Sequence, residues 1–175
     1  MAKGKHPVKK LVAGLAVLCA ACAPPAPSAE PRAVTEASAI DANSVREDVE
    51  ILLREWSATG AEGRWEDLKS LYADDPDFAW IEDGAVAYQD HVAVIAGVDR
   101  VAAMNAVIKT EIGDIVVTPL SADAAAFRSA VSIGFVTPDF TFNFAGAFTG
   151  VAIARDGRWR FLQGHLSKAC ETAAN

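Results

Sequence analysis

The chain has 175 residues, enough for one domain and some additional segments. Sixteen basic against twenty-three acidic side chains give a net charge of −7. That balance argues against nucleic acid, whose binding is dominated by cation–phosphate contacts, and three cysteines are too few for a disulfide framework.

The first segment differs from the rest. Lys3, Lys5, Lys9 and Lys10 give a positive start, and Leu11 to Cys22 is an uncharged apolar run. A basic n-region, a short apolar h-region and small residues form the secretory pattern. The run is too short to span a bilayer, which takes about 20 apolar residues. Residues 1–22 therefore read as a signal peptide for export to the periplasm or cell envelope. Leu18-Cys19-Ala20-Ala21-Cys22 resembles a bacterial lipoprotein signal, which implies lipidation of Cys22. That pattern wants Leu three residues before the cysteine, where Cys19 stands. Plain cleavage after Cys19-Ala20-Ala21 is the alternative.

Residues 23–40 hold Pro24, Pro25, Pro27 and Pro31 and read as an extended spacer, unable to bury enough surface to order itself. Removing the signal leaves twelve basic and twenty-three acidic side chains, a net charge of −11. Attraction to anionic headgroups is then unfavourable, and any membrane contact would run through the lipid anchor.

Residues 41–170 read as one domain. Ser44 to Glu47 has the capping-box form. Val45, Val49, Leu52, Leu53 and Trp56 follow at helical spacing, with Gly60 and Gly63 as the stop. A second short helix carries Trp65, Leu68, Leu71 and Tyr72 and stops before Pro76. Phe78 to Ile81 and Val86 to Tyr88 make a hairpin across Glu82-Asp83-Gly84. Val94, Val98, Val101 and Ile108 mark a third helix, weakened by Gly97. Four long strands then follow: Ile115 to Val117, Ala124 to Val136, Thr141 to Ala154 and Arg158 to Leu166. Asp156-Gly157 between the last two is a strong hairpin signal. Helices first and antiparallel strands after make an α+β architecture.

Leu71-Tyr72-Ala73-Asp74-Asp75-Pro76-Asp77-Phe78, Glu82-Asp83-Gly84, Arg155-Asp156-Gly157-Arg158-Trp159-Arg160-Phe161 and Gly164-His165-Leu166-Ser167 occur in this order. Together they resemble the nuclear-transport-factor-2-like superfamily, in particular its bacterial SnoaL-like and DUF4440-like members, over roughly residues 43 to 168. The resemblance implies a curved antiparallel sheet wrapped around about three N-terminal helices, forming a cone with an apolar pocket. It also implies a choice among isomerases, dehydratases, cyclases and pure binding or dimerisation domains, so function has to come from the site.

Strict alternation puts Trp159, Phe161, Gln163, His165 and Ser167 on one face of the last strand. His165 would then be a general acid or base in the pocket, or a core histidine held by backbone or Ser167. Asp74, Asp75 and Asp77 follow a helix C-terminus, where carboxylates oppose the dipole. Asp75 or Asp77 could abstract a proton beside a carbonyl, or the group could be turn chemistry. Arg128 and Asn143 lie mid-strand beside alanines, where they could steady a ligand's charge or face solvent. Trp56, Tyr72, Phe78, Trp80 and Gln163 complete the candidate ligand contacts. No metal-ligand motif, phosphate loop or nucleophile elbow is visible, so no cofactor is expected.

Three readings stay open. The first is a tethered binder of a small, largely apolar or carbonyl-containing molecule. The second is a cofactor-free isomerase, dehydratase or cyclase. The third is a homodimeric interaction module.

Overall fold

The computed structural model describes residues 41–169. The expected signal, spacer, Cys22 and Cys170 lie outside the described residues. The first helix, α1, spans Ala42–Glu62. Its cap is Asp41, whose carboxylate accepts from the Asn43 and Ser44 amides at 3.1 and 3.2 Å. Ser44, expected to be the cap, is already inside the helix. A carboxylate placed earlier satisfies the free N–H groups and suits the positive end of the helix dipole. Gly63, at φ 68°, closes α1 in the left-handed conformation. Gly60 does not end the helix; it is buried and lies against Ile108.

α2 covers Trp65–Ser70 and α3 covers His91–Ala103, capped by Asp90 through the Ala93 amide at 2.8 Å. Asn105, at φ 52°, turns the chain out of α3. Ile108 therefore sits not in the third helix but in a strand that was not expected.

Seven strands form one sheet: β1 Ala79–Glu82, β2 Ala85–Tyr88, β3 Val107–Ile112, β4 Val116–Pro119, β5 Ala124–Val136, β6 Thr141–Arg155 and β7 Arg158–Lys168. Their order is β2-β1-β7-β6-β5-β3, with β4 also on β5. β3 and β4 follow one another along the same edge of β5, pairing with residues 131–136 and 125–128. The α+β architecture is as the sequence implies. One pairing departs from the antiparallel rule: β1 runs parallel to β7. The two strands are joined through β2, α3 and β3 to β6, which gives the longer connection that parallel neighbours need. Both Asp-Gly pairs occupy hairpin turns with positive φ at each residue: 49° and 82° at Asp83-Gly84, 53° and 70° at Asp156-Gly157.

The register of β7 holds the main surprise. Ala152 pairs with Phe161, but Val151 pairs with Gln163, so Leu162 is an extra residue, a β-bulge. The bulge reverses the alternation. Phe161, Gly164, Leu166 and Lys168 share the face of Ala152, Gly150, Phe148 and Gly146. Gln163, His165 and Ser167 share the opposite face with Val151, Thr149 and Ala147.

The concave face closes on α1. Val45, Val49, Leu52, Leu53 and Trp56 pack with Phe127, Phe148 and Phe161 in one cluster. Gly164 makes room for Trp80 across the parallel pair. A Cβ there would stand 2.2 Å from the indole ring, so the wide ring rests flat on the strand only because that position has no side chain.

Candidate functional site

The inner half of the cone is solid aromatic packing. The outer half encloses a cavity of about 300 Å³. Its floor is Trp56, Tyr72 and Trp80, and its walls come from α2, α3, β3 and the far halves of β5 and β6. α3 contributes Val94, Gly97, Val98 and Val101. Gly97 weakens the helix but serves the site: the Tyr88 ring occupies the space its side chain would take, 2.6 Å from a Cβ.

The polar groups are few. Tyr72 is buried, and its hydroxyl accepts from Trp56 Nε1 at 3.1 Å. That bond leaves the phenol proton available to a guest. Burial pushes the Tyr72 hydroxyl well above its ordinary value, so it remains a donor throughout the neutral range. Trp80 and Glu82 are two apart on β1 and lie on the same face. Trp80 Nε1 donates to Glu82 Oε1 at 3.1 Å, so the glutamate, although exposed, is held beside the indole at the rim of the cavity. At the mouth, Lys168 Nζ pairs with Asp83 Oδ2 at 2.7 Å and lies 4.9 Å from the centre of the Phe142 ring. The Lys168 ammonium holds the Asp83 carboxyl below its usual range.

The Tyr72–Trp56 bond yields a first prediction. Tyr72→Phe leaves a buried indole N–H without a partner, which costs about 1–3 kcal/mol. Urea denaturation of the two proteins measures it; equal midpoints would mean that water replaces the phenol.

The structure brings together only some of the residues singled out in the sequence. Trp56, Tyr72 and Trp80 line the cavity. Phe78 is buried behind it, against the Tyr72 ring, and is not among the lining residues. The Leu162 bulge carries Gln163 and His165 to the outer face, where His165 is in register with Thr149 and Ile81. The expectation that they share the face of Phe161 is thereby corrected. Arg128 and Asn143 are exposed on the same outer face, opposite Thr149 and Gly134. Asp75 and Asp77 form a turn: Asp75 Oδ1 accepts from the Asp77 amide at 3.0 Å. Asp75 borders a separate open groove with Asp74, His91 and Arg160, and Asp77 is exposed. Glu82, Tyr88 and Lys168 were not among the sequence candidates. The i, i+2 spacing of Trp80 and Glu82 was the available signal, masked by reading Glu82 as part of the turn.

A family model described as a SnoaL-like domain matches residues 49–171. The chain belongs to the SnoaL-like domain family. No curated protein gives a significant match. Among solved structures, the SnoaL-like domain is similar to a candidate scytalone dehydratase from Novosphingobium aromaticivorans, with 17% identity over 73% of this chain and 86% of that one, at a TM-score of 0.63. A nuclear-transport-factor-2-like protein of unknown function from Shewanella oneidensis has 18% identity over 70% and 98%, at 0.56. A type 2 hexachlorocyclohexane dehydrochlorinase has 17% over 71% and 84%, at 0.59. At such identities the shared property is the fold.

Proposed function

We propose that the SnoaL-like domain binds a small, largely apolar, ring-bearing molecule in the cone cavity. The observation that carries this reading is the cavity itself: about 300 Å³, with Trp56, Trp65, Tyr72, Trp80 and Tyr88 on its walls and a handful of polar atoms at one side. Sites for small molecules have this make-up, apolar walls with a few placed polar groups, and start at roughly 300 Å³. The test is a titration with neopentylbenzene, an uncharged aromatic hydrocarbon, read by tryptophan fluorescence. A saturable change is expected, abolished by Val98→Trp, which fills the cavity. A linear, unsaturable response in the native protein would sink the reading.

A second reading is supported by Glu82 and Tyr72 lining one cavity. In it the domain is a cofactor-free isomerase, dehydratase or cyclase. The Glu82 carboxylate removes a proton beside a carbonyl, and the protonated Tyr72 hydroxyl donates to the developing oxyanion. His165, Asp75 and Asp77 have no part in this form of it, since none of them lines the cavity. A panel of enolisable ketones monitored for solvent deuterium uptake decides: exchange lost in Glu82→Gln supports catalysis, and no exchange with any member removes it.

Two further proposals come from the sequence and the sheet. The signal-like start and proline-rich spacer support an envelope-tethered protein, testable by labelling cells with a lipid precursor and comparing Cys22→Ser. The outer face of β5 and β6 presents Ala130, Ala145 and Ala147, small enough for a second copy to pack closely. Analytical ultracentrifugation of the native chain and Ala147→Arg tests the homodimer.

A further inference from the structure

We infer that the cavity selects a cationic guest: an aromatic or aliphatic amine, or a quaternary ammonium, with an apolar body. The inference rests on the binding reading above and adds the charge of the ligand.

Three side chains with formal charge line the cavity, all on the mouth side: Glu82, Asp83 and Lys168. Lys168 and Asp83 neutralise each other at 2.7 Å. Glu82 has no cationic partner among the salt bridges of the described residues. Among the described residues its one side-chain hydrogen bond is to the neutral Trp80 indole. That bond occupies Oε1 and holds the carboxylate beside the Trp80 indole, with Oε2 unpaired among the described residues. The site therefore carries one net negative charge beside a wall of aromatic rings.

Aromatic faces are negative at the centre and attract cations, and a cage of them is the usual means of holding a quaternary ammonium. The protein already uses that chemistry at the mouth. The Lys168 ammonium lies 4.9 and 5.9 Å from the centres of the Phe142 and Phe144 rings, with Asp83 as its counter-ion. Glu82, bonded to Trp80 and sharing the cavity with Trp56, Trp65 and Tyr88, offers the same combination without a resident cation. An anionic guest would meet the unpaired Glu82 charge at the mouth and find Lys168 already engaged.

The experiment uses two isosteres, benzyltrimethylammonium and neopentylbenzene, which differ only in a charged nitrogen for a carbon, together with 3-phenylpropanoate. Each is titrated against the native protein by tryptophan fluorescence. The cation is expected to bind about tenfold more tightly than the hydrocarbon, the scale of a desolvated cation–π contact. Glu82→Gln keeps the acceptor for Trp80, so it should fold. It should bring the two affinities close together by weakening the cation alone. Lys168→Met frees Asp83 and should tighten the cation further. Equal binding of cation and hydrocarbon, or tightest binding of the carboxylate, overturns the charge assignment while the apolar-cavity reading stands. Saturable binding of none of the three overturns both.

Discussion

Phe161→Ala is expected to cost the domain about 3–5 kcal/mol, the range for losing a fully buried aromatic ring. Phe161 has no exposed surface. Its ring lies within 6.4 Å, centre to centre, of Trp56, Tyr72, Trp80, Phe127 and Phe148. These neighbours come from α1, β1, β5, β6 and the exit of α2. None can move into the vacancy without leaving its own element, so the void would persist rather than collapse. The Phe161 backbone also donates to Leu71 O at 2.8 Å and accepts from the Ala73 amide at 2.9 Å. Those bonds survive the substitution, so the loss measures the ring. A urea titration should show a lower midpoint with an unchanged slope. Phe140→Ala, at a side chain half exposed near a loop, should cost less than about 1 kcal/mol. Similar losses for the two would mean that the core repacks around the gap.

The aromatic cluster was legible in the sequence because its members recur at helical or strand spacing in strong elements. Val45 to Trp56 have one periodicity and one burial pattern, and the Asp156-Gly157 turn fixes β6 against β7. What the sequence hid was local. Asp41 competes with Ser44 as a cap, and only the hydrogen bonds separate them. Ile108 continues the spacing of Val94, Val98 and Val101, yet Asn105 in the left-handed region breaks the helix before it. Ile108 then shares the more buried face of β3 with Thr110 and Ile112. The site depended on a third such detail. Glu82 stands at the junction of strand and turn, where residue type alone says turn. Its burden as a cavity group comes from being two positions from Trp80. His165 shows the converse: its residue type says chemistry, and one inserted residue turns it away.

That insertion makes the second large prediction. Deleting Leu162 and Gln163 together should abolish cooperative folding, whereas deleting Leu162 alone should not. Without Leu162, Gln163 follows Phe161 directly and still pairs with Val151, so Gly164, Leu166 and Lys168 keep their inward side. Without both residues, Gly164 follows Phe161 and every later side chain moves to the other face. His165 would take an inward position opposite Gly150, and Leu166 and Lys168 would turn outward. Lys168 would leave Asp83 and the Phe142 ring, the mouth would lose its ion pair, and an imidazole would be buried among aromatics without a partner, a costly placement. The parallel pairing with β1 would also fail, because Trp80 lies over Gly164 and a shifted strand would offer His165 in its place. The single deletion loses the bulge and a half-buried side chain. It should retain a sharp thermal transition by circular dichroism, shifted down by a few degrees, as expected for about 1 kcal/mol. The double deletion should show none. If the double deletion melts as sharply as the single one, the strand has absorbed the slip elsewhere. The alternation after Phe161 would then not be what orients Gly164, Leu166 and Lys168 toward the cavity.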